Sequence, residues 1–181
     1  MLSSLLHIQR GLTAIIGSGG KSTLLRALAE ELSRDARVIV ATSTKMHVPD
    51  WCPVVLGASL DDVRMALCEA SIVCAGSIHL PMGKLAEPRA AFSDLVCSAD
   101  YVLVEADGAK TLPLKAHAEH EPVIPACAGR TVCVVGVDGL GAPRLADVPP
   151  SAAIRAAGRR FRRRCGHARG GGGGAARRGA S

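Results

Sequence analysis

No acidic residue occurs between positions 151 and 181, a stretch that holds nine arginines. The net charge of +6 therefore comes from one end, because residues 1 to 150 carry 13 Lys+Arg against 16 Asp+Glu. The body of the chain is mildly acidic, and its overall basicity gives no ground for nucleic acid as a partner. Long apolar runs are also missing: none reaches the roughly 18 residues of a membrane-crossing helix. Met1 to Ile8 lacks the basic start and cleavage pattern of a signal peptide. These absences predict a soluble, cytoplasmic protein with no membrane partner. The seven cysteines (52, 68, 74, 97, 127, 133 and 165) are odd in number and contain no C-x-x-C pair. That argues against a disulfide scaffold and against a zinc site, and several lie in apolar runs, so reduced and mostly buried thiols are expected. A length of 181 residues leaves room for one domain with a real core.

What is present is concentrated in residues 12 to 32. Leu12 Thr13 Ala14 Ile15 Ile16 suits a buried strand; Gly17 Ser18 Gly19 Gly20 Lys21 Ser22 Thr23 follows; leucines at 24, 25, 28 and 32 then recur with helical spacing. Strand, glycine loop and helix in that order make a phosphate site. Glycines let successive amides approach an anion, and the helix N-terminus adds free N–H donors and the positive end of its dipole. Lys21 would neutralise the β- and γ-phosphates, and the Ser22 hydroxyl is placed to hold Mg²⁺. The usual first glycine of G-x-x-x-x-G-K-[ST] is missing, since Ile15 stands at its position. The loop is the shorter Gly17-x-x-Gly20-Lys21-Ser22, which resembles the compact phosphate loop of the Mur ligase and folylpolyglutamate synthase group.

A second strand is expected over Arg37 to Ala41, parallel to the first through a right-handed crossover. It ends in Thr42 Ser43 Thr44 Lys45, whose hydroxyls would open onto the crevice at the carboxyl ends of the strands, making Thr42 a candidate ligand of Mg²⁺ or phosphate. Val54 to Leu56 and Ser71 to Ala75 read as strands, and Leu60 to Glu69 and Arg89 to Cys97 as helices. Gly76 to Pro88 reads as a loop carrying Gly83 and Lys84, and His79 in it is a lone histidine with no ligand partner.

The other strong signal is Tyr101 Val102 Leu103 Val104 Glu105 Ala106 Asp107 Gly108, an apolar strand that delivers carboxylates to a metal or an attacking water. If the chain stays extended, Glu105 and Asp107 point the same way. One would hold Mg²⁺ through water and the other act as base, giving Lys21, Glu105 and Asp107 as catalytic residues and Ser22, Thr42 and Asp107 as metal ligands. The polar, proline-punctuated stretch from Ala109 to Pro125 is long enough to be functional or disordered. Its His117-x-x-His120 pair lacks a third metal ligand. A last strand over Thr131 to Val137 ends in Asp138 Gly139 Leu140 Gly141.

Together, Gly17 to Thr23, Thr42-Ser-Thr-Lys-Met46, Val104-Glu-Ala-Asp-Gly108, Leu112-Pro-Leu-Lys115, Glu119-His-Glu-Pro-Val-Ile-Pro125 and Val135-Gly-Val-Asp-Gly-Leu-Gly141 resemble the YqeC family. Its members are described as accessory proteins for selenium-dependent molybdenum hydroxylases, or selenium cofactor biosynthesis proteins. The resemblance covers roughly residues 8 to 143. It implies an α/β, P-loop-like three-layer fold with a mostly parallel sheet, and a role in equipping a molybdenum hydroxylase with its selenium-containing cofactor. By the same motifs, Lys115, His120 and Glu121 would face a second substrate. Lys110 and Thr111 depart from the family's Arg-Gly at that point.

The expected domain is therefore a nucleotide-binding unit over residues 1–143, using Mg²⁺ and ATP or GTP, with a molybdenum hydroxylase or its pterin cofactor as partner. No base-reading motif selects between ATP and GTP. Two classes of function stay open: an NTPase or phosphotransferase, and a non-catalytic chaperone that binds a nucleotide or the pterin phosphate. Residues 144–181 are expected to be a disordered tail, since 25 of the 31 residues from Ser151 to Ser181 are Arg, Gly or Ala. The C-terminal part of the fold is then incomplete. The abrupt change points to a shift of reading frame near Arg144, because these residues have codons made entirely of G and C. An interaction tail that binds RNA is the alternative.

Overall fold

The computed structural model of the chain describes residues 1–57, 59–108 and 121–137. In chain order the elements are α1 (Leu2–Leu5), β1 (Gly11–Ser18), α2 (Lys21–Leu32), β2 (Val38–Thr42), β3 (Lys45–Met46), β4 (Val54–Leu56), α3 (Leu60–Glu69), β5 (Ile72–His79), β6 (Lys84–Ala86), α4 (Phe92–Val96), β7 (Tyr101–Glu105) and β8 (Ala128–Val135). A 3₁₀ turn over Leu80–Met82 joins β5 to β6. No helix among the described residues is long and apolar enough to cross a membrane.

The strands form one mixed, mostly parallel sheet of eight in the order β3-β6-β5-β2-β7-β1-β8, with β4 beside β5. From β4 and β5 through β8 every neighbour is parallel; only β6 runs antiparallel, to β5 and to β3. The continuous β-branched run expected for a doubly covered strand behaves so: all five residues of β2 are buried. Strand alternation divides the core between two faces. Ile15, Val38, Val40 and Leu103 pack with Leu25, Leu28 and Ala29 of α2 on one. Ala14, Ile39, Ala41, Val102 and Val104 pack with Val63 and Leu67 of α3 and Leu95 of α4 on the other. The crossover from β1 to β2 skips a place, and β7 fills it. This puts the acidic strand directly beside the strand that leads into the glycine loop.

Two expectations are corrected. Gly76 to Pro88 is not simply a loop: β5 continues to His79, turns, and returns as β6. Leu85 drives this, since it is wholly buried against Gly76, where an added Cβ would lie 2.5 Å from Leu85 Cγ. Among the described residues the thiols are free but not mostly buried: Cys74 is buried and Cys52 half-buried, while Cys68, Cys97, Cys127 and Cys133 are exposed. An apolar neighbourhood in sequence does not say which face of an element a side chain takes.

At the amino ends of β2 and β7, a depression of about 720 Å³ is lined by polar residues including Arg34, Arg37 and Asp100. It has a structural origin. Asp100 accepts the Arg37 backbone N–H at 2.9 Å and pairs with the Arg10 guanidinium, clipping the strand starts together at the end opposite the glycine loop.

Candidate functional site

The glycine loop spans the gap between the last residue of β1 and the first of α2. Gly20 caps α2 in the left-handed conformation, with φ of 81°. Gly17 is required twice over. Its φ is 107°, and a Cβ there would stand 2.0 Å from the Val134 carbonyl oxygen on β8. Only a residue without a side chain lets β1 and β8 stay this close while the loop turns.

Lys21 opens α2 yet is only 3% exposed. Its Nζ donates to the Gly17 carbonyl at 2.8 Å and forms a buried ion pair with Asp107 Oδ1 at 2.7 Å. Asp107 is fully buried, and its Oδ2 accepts the Gly17 N–H at 2.6 Å. Glu105, 6% exposed, accepts from Ser22 Oγ through Oε2 at 3.2 Å. Both carboxylates thus reach the α2 side of the sheet, as alternation predicts, while Ala106 between them joins the opposite core. Burial pushes the Glu105 carboxyl above its ordinary value and nearby Asp107 adds to this; the Lys21 and Lys84 charges and the Ser22 hydrogen bond pull against it.

The end of β2 serves as a clamp. Thr42 Oγ1 donates to the Glu105 carbonyl at 2.9 Å and accepts from the Thr44 N–H at 3.1 Å, which gives this hydroxyl a use in positioning Glu105. Ser43 donates from N to the same carbonyl at 3.1 Å and from Oγ to the Val123 carbonyl at 2.5 Å. Val123 N donates to Ala106 at 2.8 Å. These bonds dock the segment after residue 120 on the acidic strand and leave Glu121 half-buried near Gly108.

Of the residues singled out in the sequence, the structure brings Gly17 to Ser22, Thr42, Glu105 and Asp107 together. Ser22 and Thr23 are exposed on the first turn of α2, and Ser18 is buried. Lys115 and His120 lie outside the described residues, as do His117, Lys110, Thr111, Asp138 and the whole segment 144–181. Lys84 was not among the expected site residues. The hairpin carries it close enough to Glu105 for its charge to act there, and nothing local in the sequence announces that.

Among the described residues no three His, Cys, Asp or Glu side chains cluster as a metal cage. Two carboxylates and a hydroxyl, all oxygen, nevertheless suit Mg²⁺, which keeps waters and takes phosphate oxygens instead of filling an all-protein site.

The sequence model of the YqeC protein family matches residues 13–148, a span that holds the glycine loop and both carboxylates. The chain belongs to the YqeC family. The uncharacterized protein YqeC of Escherichia coli (strain K12) is 35% identical over 136 residues, covering 71% of this chain and 53% of that relative. This YqeC-family chain therefore spans about half the length of the curated relative it matches. No solved structure matches it.

Proposed function

We propose that this protein is a nucleotide-binding accessory factor in the maturation of selenium-dependent molybdenum hydroxylases, with Mg²⁺-dependent hydrolysis or phosphoryl transfer from ATP or GTP at the glycine loop. The observation that carries the nucleotide part is the meeting of Lys21 and Ser22, at the start of α2, with Glu105 and Asp107, at and just past the end of β7, at one end of a parallel sheet. Ligands of open α/β sheets bind at such carboxyl ends. The hydroxylase part rests on the family resemblance. We take the fold as a variant of the P-loop-like three-layer class, with α2 on one face and α3 and α4 on the other.

In this reading the loop amides and Lys21 bind the terminal phosphates, and Ser22 and Asp107 would hold Mg²⁺, with Thr42 fixing the end of the acidic strand. When bound, the metal neutralises charge that builds on the phosphate oxygens. Glu105, whose carboxyl is held above the ordinary range, is placed to accept a proton from water or from a second substrate. Glu121, together with Lys115 and His120, would face that second substrate.

A non-catalytic carrier of a nucleotide or of the pterin cofactor's phosphate draws on a different observation. Lys21 and Asp107 already form an ion pair, as suits a site built to hold and release. Thermal shift with ATP, GTP and CTP, each with and without Mg²⁺, tests binding. A ligand that binds only the folded state at 100 times its Kd adds about 2.7 kcal/mol. Repeated phosphate release favours the enzyme, tight binding without turnover favours the carrier, and no shift with any nucleotide overturns both.

A further inference from the structure

Asp107 occupies the donors that a phosphate would need. Its Oδ2 accepts the Gly17 N–H at 2.6 Å and its Oδ1 lies 2.7 Å from the Lys21 ammonium as an ion pair, so it engages both the loop backbone and the loop lysine. The ammonium also donates to the Gly17 carbonyl at 2.8 Å, which closes a small ring within the loop. A carboxylate bound in this way copies a phosphate edge. We infer that Asp107 is an internal counter-anion of the phosphate loop, so that an oxyanion ligand binds only by taking Lys21 from it. This rests on the phosphate-site reading above and adds how that site is regulated.

Two consequences follow from burial. Asp107 is fully buried and Lys21 nearly so; breaking the pair without replacement would strand a charge in low dielectric, which is strongly unfavourable. The ligand must therefore carry enough negative charge to outcompete a prepositioned carboxylate, which selects the end of a polyphosphate over a singly charged anion. Asp107 then gives up the Lys21 charge. A divalent metal is the natural replacement, with Ser22 and Glu105 beside it. Polyphosphate and metal should accordingly bind with positive coupling, each raising the affinity of the other by the same factor.

Calorimetry of the full chain with sodium tripolyphosphate, with and without Mg²⁺, tests this on wild type and Asp107→Asn. The amide retains an acceptor for Gly17 N–H but removes the charge that holds Lys21. Metal-free tripolyphosphate should bind the variant about 5 to 150 times more tightly than wild type, and the gain from Mg²⁺ should shrink. Equal or weaker metal-free binding by Asp107→Asn overturns the inference while leaving the phosphate site intact. Absence of tripolyphosphate and nucleotide binding in both proteins sinks the site reading and the inference together. Should Asp107→Asn fail to fold, nuclear magnetic resonance of the wild type decides. The Lys21 ammonium and Gly17 amide resonances must move as tripolyphosphate saturates; binding that leaves both unmoved overturns the proposal.

Discussion

Lys21→Ala removes a buried positive charge that pairs with the buried Asp107, so its effect reaches beyond ligand binding. Loss of one partner of such a pair costs about 3–5 kcal/mol, measurable by urea unfolding, and adding Asp107→Asn should restore part of it. A loss within the scatter of surface substitutions would show that the pair contributes little. Nucleotide affinity of Lys21→Ala has to be taken per folded molecule for the same reason. Glu105 gives a pH test. Its carboxyl sits above the ordinary value of 4.5, chiefly through burial. The folded state therefore holds the proton more tightly than the unfolded chain, and stability falls as pH rises through the window from that value up to the raised one. Glu105→Gln, which retains an acceptor for Ser22 Oγ, should melt higher than wild type above this window and alike below it. A gain that persists at acid pH would point to packing instead of charge.

At the scale of elements, the glycine loop depends on the closeness of β1 and β8. Gly17→Ala combines a positive φ with a backbone clash at Val134, so it should cost about 3 kcal/mol or more. Unchanged stability in chemical denaturation would mean that β8 is free to move aside. The β5–β6 hairpin hangs on one leucine in the same manner: Leu85→Ala should cost about 2–5 kcal/mol, and a smaller loss would show that the hairpin is not fixed by that contact. These elements differ in how legible they are. α2 and α3 appear in the sequence because leucines and valines recur at helical spacing, and Ser59 with Asp62 forms the capping box that starts α3 at Leu60. β3 and β6 are too short to carry a period of their own. Proline and glycine around the turn read as loop, and pairing with β5 overrides that reading.

For the whole molecule, the uneven charge separates two behaviours. Removing residues 151 to 181 takes away nine arginines and no acid. Any salt-sensitive retention on a polyanion should vanish with them, while the nucleotide-induced thermal shift stays as in the full chain. Loss of that shift would make the basic segment part of the nucleotide site. On β8, Thr131, Cys133 and Val135 are exposed and alternate with half-buried neighbours, whereas β2 at the centre is buried throughout. The sheet is thus well covered in its middle and open along β8 among the described residues.

The order of strand, glycine loop, lysine and helix is local, so it could be read from neighbouring residues alone, and so could the apolar strand that ends in Glu105 and Asp107. Their juxtaposition could not. It depends on β7 entering the sheet between β1 and β2, a choice made by side-chain packing on both faces across some ninety positions of chain. Tertiary structure alone buried Lys21, turned it toward Asp107, and gave Thr42 its place on the Glu105 carbonyl. Sequence names which groups carry charge; the dielectric around a charge and the nearest counter-charge are set by what folds against it.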